Sequence, residues 1–191
     1  MFAPPYRHID AIVIGASAGG IDFLLKFLSQ LPQSCPCPIF IVVHQKADGK
    51  HYLCDVLSDI CPLPLLEAED KMSILAGHVY IAPADYHLMI ESSTMMSLSQ
   101  DELVHSCRPS INILFESAAD VFQCRLIGMV LTGMGCDGSE GLAYIERLGG
   151  VCLVEDPSEA AFPFMPEAAI QCVPTAKNMK TNDFIQHLFL T

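Results

Sequence analysis

Apolar and polar positions fall into blocks along this chain. Four nearly continuous apolar runs, at 11–15, 39–44, 126–132 and 151–155, are only a few residues long and β-branched-rich. Runs of that length and composition predict strands buried on both faces. Between them lie stretches with helical spacing. Leu24, Leu25, Leu28 and Leu31 share one face of a helix predicted near 20–31. Further helices are predicted near 51–60, 109–123, 138–148, 163–172 and 182–190. Pro109 starts the third of these six and Gly149-Gly150 stops the fourth. Leu65-Leu-Glu-Ala-Glu69 reads as a short strand. The middle breaks the rhythm: runs beginning at His78, His87 and Met95, interrupted by Asp85 and Ser92-Ser93, read as a β-meander inserted into the alternation. Alternating strands and helices predict an α/β fold, a doubly wound, mostly parallel sheet with helices on both faces in three αβα layers.

Composition narrows the partners. The chain has 191 residues, 51% hydrophobic and 17% charged, enough for one compact domain at 11–191 behind an N-terminal extension at 1–10. The formal net charge is -12, which repels phosphate backbones and anionic lipid, so nucleic acid is excluded as a partner and membrane binding is disfavoured. No apolar run approaches the ~20 residues of a membrane span. Nine scattered cysteines, with Cys35-Pro-Cys37 the one close pair, do not form a C-x-x-C half-site and read as reduced thiols in a cytoplasmic protein. His78 and His87 flank the meander without a carboxylate or cysteine at ligand spacing, so no metal site is predicted.

The chemistry lies at strand ends. Gly15-Ala-Ser-Ala-Gly-Gly20 follows the first strand and opens a helix. It spells G-x-S-x-G in the strand–turn–helix setting that lifts a serine hydroxyl clear of a sheet. The second strand ends at His44, and the third long apolar run leads into Leu131-Thr-Gly-Met-Gly-Cys-Asp-Gly138. Each residue has a plainer reading. Ser17 could cap its helix, or its turn could cradle a phosphate, although the second glycine of G-x-G-x-x-G is missing. His44 could be a satisfied strand-end histidine, and Asp137-x-x-Glu140 has the spelling of a capping box. Taken together, Ser17, His44 and Asp137 supply a nucleophile, a base and an orienting carboxylate on one rim. A serine hydroxyl needs an imidazole to take its proton, and the imidazole needs a carboxylate to fix its tautomer. The N–H groups of the helix start after Ser17 are available for an oxyanion.

The order Ser…His…Asp differs from that of the α/β-hydrolases. It resembles instead the catalytic domain of the chemotaxis protein-glutamate methylesterases, the CheB family. The resemblance runs from about Ile12 to Val173 and rests on ordered motifs. Gly15–Gly20 resembles the family's GASTGG turn, and Val43-His44 its QH. Glu67-Ala-Glu-Asp70 with Leu75–Pro83 resembles EAxDG…GxxYIAP. Arg108-Pro-Ser110 resembles RPS, Leu131–Gly138 resembles LTGMGxDG, and Met165-Pro166 resembles GMPxxA.

The resemblance implies Ser17 as nucleophile, His44 as general base and acid, and Asp137 as orienting carboxylate. Ala18, Gly19 and Met134 would line the site or hold the oxyanion, and Arg108 and Glu167 would meet the substrate. It implies hydrolysis of glutamate methyl esters on chemoreceptors with release of methanol, glutamine deamidation in addition, and no cofactor or metal. The implied partners are a methylated chemoreceptor or other methylated protein, and a separate receiver or methyltransferase partner. The family's N-terminal receiver domain has no counterpart here, so the chain reads as a stand-alone or excised catalytic domain. Departures cluster around recognition. Ala18 stands for a usual threonine, and Cys107 and Asn112 stand for a usual histidine and aspartate. Val43 and Gln45 replace the usual neighbours of the histidine, and Glu167 stands where arginine is common. The alternative reading is a CheB-like signalling domain that binds chemosensory partners without turnover.

Overall fold

The computed structural model of the protein describes residues 9–44 and 52–189. Residues 1–8 of the expected extension, Gln45, the Asp48-Gly49 loop and His51 lie outside that range.

Seven parallel strands form one sheet: β1 (Ala11–Ala16), β2 (Ile39–Val43), β3 (Leu65–Glu67), β4 (Val79–Ile81), β7 (Leu126–Val130), β8 (Val151–Glu155) and β9 (Lys177–Met179), in the order β3-β4-β2-β1-β7-β8-β9. The chain moves from β1 outward through β2 to one edge, then returns to β7 on the far side of β1. The strand order therefore reverses between β1 and β7. In open α/β sheets, ligands bind beyond the carboxyl ends of the strands at such a switch point.

Alternate strand residues feed two separate cores. Ile12, Ile14 and Ala16 face α1 (Gly20–Leu28), α2 (Tyr52–Ser58) and α6 (Asp183–Phe189), where Phe23, Leu24, Phe27, Leu57, Phe184 and Leu188 are buried. Ala11 and Val13 face α3 (Ile111–Phe122), α4 (Ser139–Arg147) and α5 (Phe164–Cys172), where Ile111, Phe115, Leu142, Ile145 and Met165 are buried. Burial of both faces is why these strands read as continuous apolar runs rather than alternating ones.

The expected meander is resolved differently. Val79–Ile81 belongs to the main sheet, between β3 and β2, and only β5 (His87–Ser92) and β6 (Met95–Ser99) form the separate antiparallel hairpin. Leu88, Ile90 and Met96 plug this hairpin into the core beside α3. α3 begins at Ile111 with Ser110 as N-cap, so Pro109 precedes the helix rather than opening it. One close approach fixes the geometry at its start. A Cβ on Gly15 would lie 2.3 Å from the Ile111 side chain, so only glycine lets the N-terminus of α3 settle against the end of β1.

Candidate active site

Ser17 and His44 leave neighbouring strand ends. Ala16 pairs with Val43 across β1 and β2, and the His44 N–H donates to the Ala16 carbonyl at 3.1 Å. Adjacent strands lie about 4.8 Å apart, so the next residues on each begin as neighbours. Ser17 is half-buried, its N–H donates to Thr132 O at 3.0 Å, and the Gly20 N–H closes the turn on Ser17 O at 2.9 Å. The N-cap of α1 is Gly19, with no side-chain cap bond, so the capping role does not fall to Ser17. The turn is clasped from below. Thr132 Oγ1 lies 3.1 Å from the Ala18 carbonyl, and buried Glu155 accepts the Thr132 N–H at 2.7 Å. The N–H groups of Ala18 and Gly19 have no acceptor among the described residues, which suits them to hold an oxyanion.

A second close approach comes from the loop after β7. A Cβ on Gly133 would lie 2.7 Å from Ser17 Cβ and 2.2 Å from Met165 Sδ. Glycine there brings the loop, and α5 behind it, onto the serine. Met134, next along, is 52% exposed on the same loop.

Asp137 is the anchor of the site. It is 2% exposed and its two oxygens accept five hydrogen bonds. Oδ1 takes the Ser110 hydroxyl (2.9 Å), the Asn112 N–H (3.1 Å) and the Gly138 N–H (3.0 Å). Oδ2 takes the Ile111 N–H (2.7 Å) and His44 Nε2–H (2.8 Å). Burial pushes this carboxyl up, but the bonds from His44 and from the N-terminus of α3 outweigh it and hold Asp137 below its ordinary value. It is therefore an anion aimed at His44. The capping box spelled by Asp137-x-x-Glu140 is not formed. The first free N–H groups of α4, at Gly138 and Gly141, are taken at 2.9 Å each by Asn112 Oδ1, reaching across from α3.

His44 donates from Nε2, which leaves Nδ1 as the nitrogen able to accept a proton. Among the described residues the side chain on Nδ1 is Cys107, with Sγ at 3.6 Å; the Ser17 hydroxyl makes no hydrogen bond to the ring. Burial pulls the imidazole pKa down, but the Asp137 bond and then Cys107 outweigh it and hold it up to about 9. His44, Cys107 and Asp137 are the one group among the described residues whose donor atoms lie close enough together, within 4.8 Å of one another, to be weighed as a metal site. Asp137 is saturated by its donors, so a metal would find only Nδ1 and the thiol there.

Other expectations resolve plainly. Arg108 is not a free cation at the rim. Its Nε and Nη2 both donate to Asp85 Oδ1, at 3.0 and 2.7 Å, and Nη1 donates to the carbonyls of Gln100 and Asp101 at 2.9 Å. It clasps the hairpin to the start of α3 instead. Glu167 is exposed in the first turn of α5, two residues from the Met165 that packs beside Ser17. His87 is a buried, satisfied residue, accepting the Ser110 N–H at Nδ1 and meeting Glu102 O from Nε2. Ser110, Asn112 and Thr132 were not singled out by chemistry in the sequence. Ser110 and Thr132 show only by lying inside two of the family motifs, and Asn112, two residues past Arg108-Pro-Ser110, only as a substitute for a usual aspartate.

A doubly wound sheet that gathers a serine, a histidine and a buried carboxylate at its switch point has the arrangement of a serine hydrolase. The family model for CheB methylesterase matches residues 12–188, and the chain belongs to that family. It is 43% identical over 166 residues, covering 86% of this chain and 85% of the relative, to a putative protein-glutamate methylesterase/protein-glutamine glutaminase of Leptospira interrogans. It is 35% identical over 163 residues to the protein-glutamate methylesterase/protein-glutamine glutaminase of Clostridium acetobutylicum, covering 85% of this chain and 47% of that protein. The crystal structure of the Thermotoga maritima CheB methylesterase catalytic domain superposes with a TM-score of 0.87 at 29% identity, over 92% of this chain and 94% of that one.

Proposed function

We propose that this protein is a protein-glutamate methylesterase, a serine carboxylesterase acting on glutamate methyl esters of a chemoreceptor or other methylated protein. The observation that carries the reading is the His44–Asp137 bond at 2.8 Å beside the strand end that bears Ser17. His44 Nδ1 takes the Ser17 proton as Oγ attacks the ester carbonyl. The Ala18 and Gly19 N–H groups hold the oxyanion. His44, now an imidazolium paired with Asp137, returns the proton to the leaving methoxide, and methanol departs. Water then enters and attacks the acyl carbonyl as its proton passes to His44, and His44 returns that proton to Ser17 Oγ as the C–O bond breaks and the glutamate leaves. Deamidation of glutamine follows the same path with ammonia as the leaving group. No described helix is long and apolar enough to cross a membrane, and the reading gives the protein a cytoplasmic role with the esterase domain at 11–191 and a receiver or methyltransferase as partner. Incubating the purified protein with methylated receptor tests it: methanol release supports the reading, and none would favour a domain that binds without turnover.

The base must be neutral to accept a proton, so kcat/KM should rise with pH through the imidazole pKa of about 9. Among the described residues the groups bonded to the ring are Asp137, from the loop after β7, and Cys107, from the loop before α3. Cys107→Ala removes contributions that favour the imidazolium and should move the acid limb to lower pH. Each unit moved would raise kcat/KM at pH 7 roughly tenfold. An acid limb that stays in place would show that Cys107 does not tune the base.

Glu167 opposes an acidic partner. In a chain of net charge -12, with Arg108 neutralised by Asp85, the described residues of the rim offer little to attract one. Glu167→Arg should raise kcat/KM on a receptor rich in acidic residues severalfold at low salt, through faster encounter, and the gain should shrink as salt rises. A salt-independent gain would point to a direct contact instead.

A further inference from the structure

Besides the hydroxyl of Ser17, a second nucleophile stands near the His44 imidazole, and it is the one hydrogen-bonded to the ring. Cys107 Sγ lies 3.6 Å from His44 Nδ1, while Nε2 donates to Asp137 at 2.8 Å. A nucleophile within reach of a base, with the base oriented by a third group, is the constellation that activates cysteines as well as serines. The thiol is also held in place from both sides. Val104 and Cys107 pair as a tight antiparallel bridge, with N–H to O distances of 2.8 and 3.2 Å. His105 and Ser106, at its tip, both occupy the left-handed region at φ 48° and 63°. On the other side the Arg108–Asp85 clasp fixes the next residue. The chain spends two unfavourable backbone conformations and an ion pair on keeping this sulfur against the ring.

Hydrolysis through Cys107 is not supported. The Cys107 N–H is given to Val104 O, the Ser110 N–H to His87 Nδ1 and those of Ile111 and Asn112 to Asp137, so none of these serves an oxyanion at the sulfur. Attack on a small electrophile needs none.

We propose that Cys107 is a peroxide-reactive modification site and that its oxidation shuts off the base His44. The thiol reacts as a thiolate beside the His44 imidazolium, its proton having gone to Nδ1 of a neutral ring or, where the ring is already protonated, to solvent. The sulfur attacks one oxygen of the peroxide. An S–O bond forms, the O–O bond breaks, sulfur is oxidised by two electrons, and the departing hydroxide takes the imidazolium proton and leaves as water. The product is a sulfenic acid. A 3.6 Å gap has no room for an inserted oxygen, so the ring must shift or the S–OH must occupy Nδ1. Either way the nitrogen is lost to Ser17.

The effect on hydrolysis rests on the esterase reading; the reactivity of the thiol does not. Labelling the native protein with iodoacetamide, followed by mass spectrometry, reads the reactivity directly. Cys107 should react on the order of tenfold faster than Cys124 and Cys172, although those thiols are exposed and Cys107 is only half-exposed. His44→Ala should remove that advantage. Hydrogen peroxide should give a dimedone-trappable adduct on Cys107 and a loss of methanol release that dithiothreitol restores, whereas Cys107→Ala stays active in peroxide. Labelling no faster than at Cys124 and Cys172, or labelling indifferent to His44→Ala, would overturn the site. Peroxide inactivation that persists in Cys107→Ala would overturn the switch.

Discussion

Purified Ser17→Ala protein should release no detectable methanol from a methylated receptor while unfolding at nearly the same temperature as the parent. Among the described residues Ser17 is the nucleophile beside the free Ala18 and Gly19 N–H groups, and without it neither the imidazole nor the oxyanion donors have an acyl-enzyme to serve. Losses on the order of 10⁴- to 10⁶-fold in kcat accompany removal of a triad serine. The fold has little to lose. Gly19 caps α1, the Ser17 backbone N–H still reaches Thr132 O, and the hydroxyl makes no hydrogen bond to another described side chain. A cost of about 0.5 kcal/mol, or roughly 2 °C in a domain of this size, is expected. Ester hydrolysis that survives in this variant would remove the acyl-enzyme mechanism.

Asp137→Asn should damage both activity and stability, and the two losses have one cause. Each carboxylate oxygen accepts more than one donor, so an amide NH2 must face donors whichever way it is turned. At the Oδ1 position it would oppose Ser110, Asn112 and Gly138; at Oδ2, only His44 and the Ile111 N–H. The second placement is less costly, and there the amide donates to His44 Nε2. That forces the ring proton onto Nδ1, the nitrogen that must accept from Ser17. A fall of up to ~10⁴-fold in kcat follows from the wrong tautomer. The orphaned Ile111 N–H adds a folding cost of about 1–3 kcal/mol. Measuring kcat beside the denaturation midpoint separates this variant from Ser17→Ala. If activity fell and the midpoint did not move, Asp137 would be a catalytic orienter without the anchoring role assigned to it here.

Much of the fold was legible because the sheet is buried on both faces. The strands 11–15, 39–44, 126–132 and 151–155 announced themselves as uninterrupted apolar runs, and Ser17, His44 and Asp137 followed three of them. β9 was not legible. Lys177–Met179 is three residues long with only Met179 buried, and an edge strand of that kind has no apolar run to show. The meander misled for a related reason. Three short strands with turn residues between them look alike in sequence, yet Val79, Tyr80 and Ile81 are all buried, whereas β5 and β6 keep exposed positions. That difference is what sends β4 into the main sheet.

At the site, identity was readable but valence was not. Arg108 was read as a cation for the substrate because nothing in a sequence shows Asp85, 23 residues away, closing on it. Asn112 and Ser110 serve helices and carboxylates to which they are not adjacent in the chain. The Cys107–His44 contact spans 63 positions and joins two loops of unrelated pattern. Spacing arguments reach along one helix or one strand; these contacts exist only once the sheet has brought its carboxyl ends together.

The five donors gathered on Asp137 bear on how relatives of this domain should be read. A lineage that stopped needing hydrolysis would be free to drop Ser17 at almost no cost to folding. It could not easily drop the aspartate, because the start of α3, the loop after β7 and the turn into α4 are all tied to it. Selection for a folded protein would keep the carboxylate long after selection for chemistry had ended. Retention of Asp137 in a sequence of this type is therefore weak testimony to activity, and an inactive member would keep the aspartate while its serine drifted.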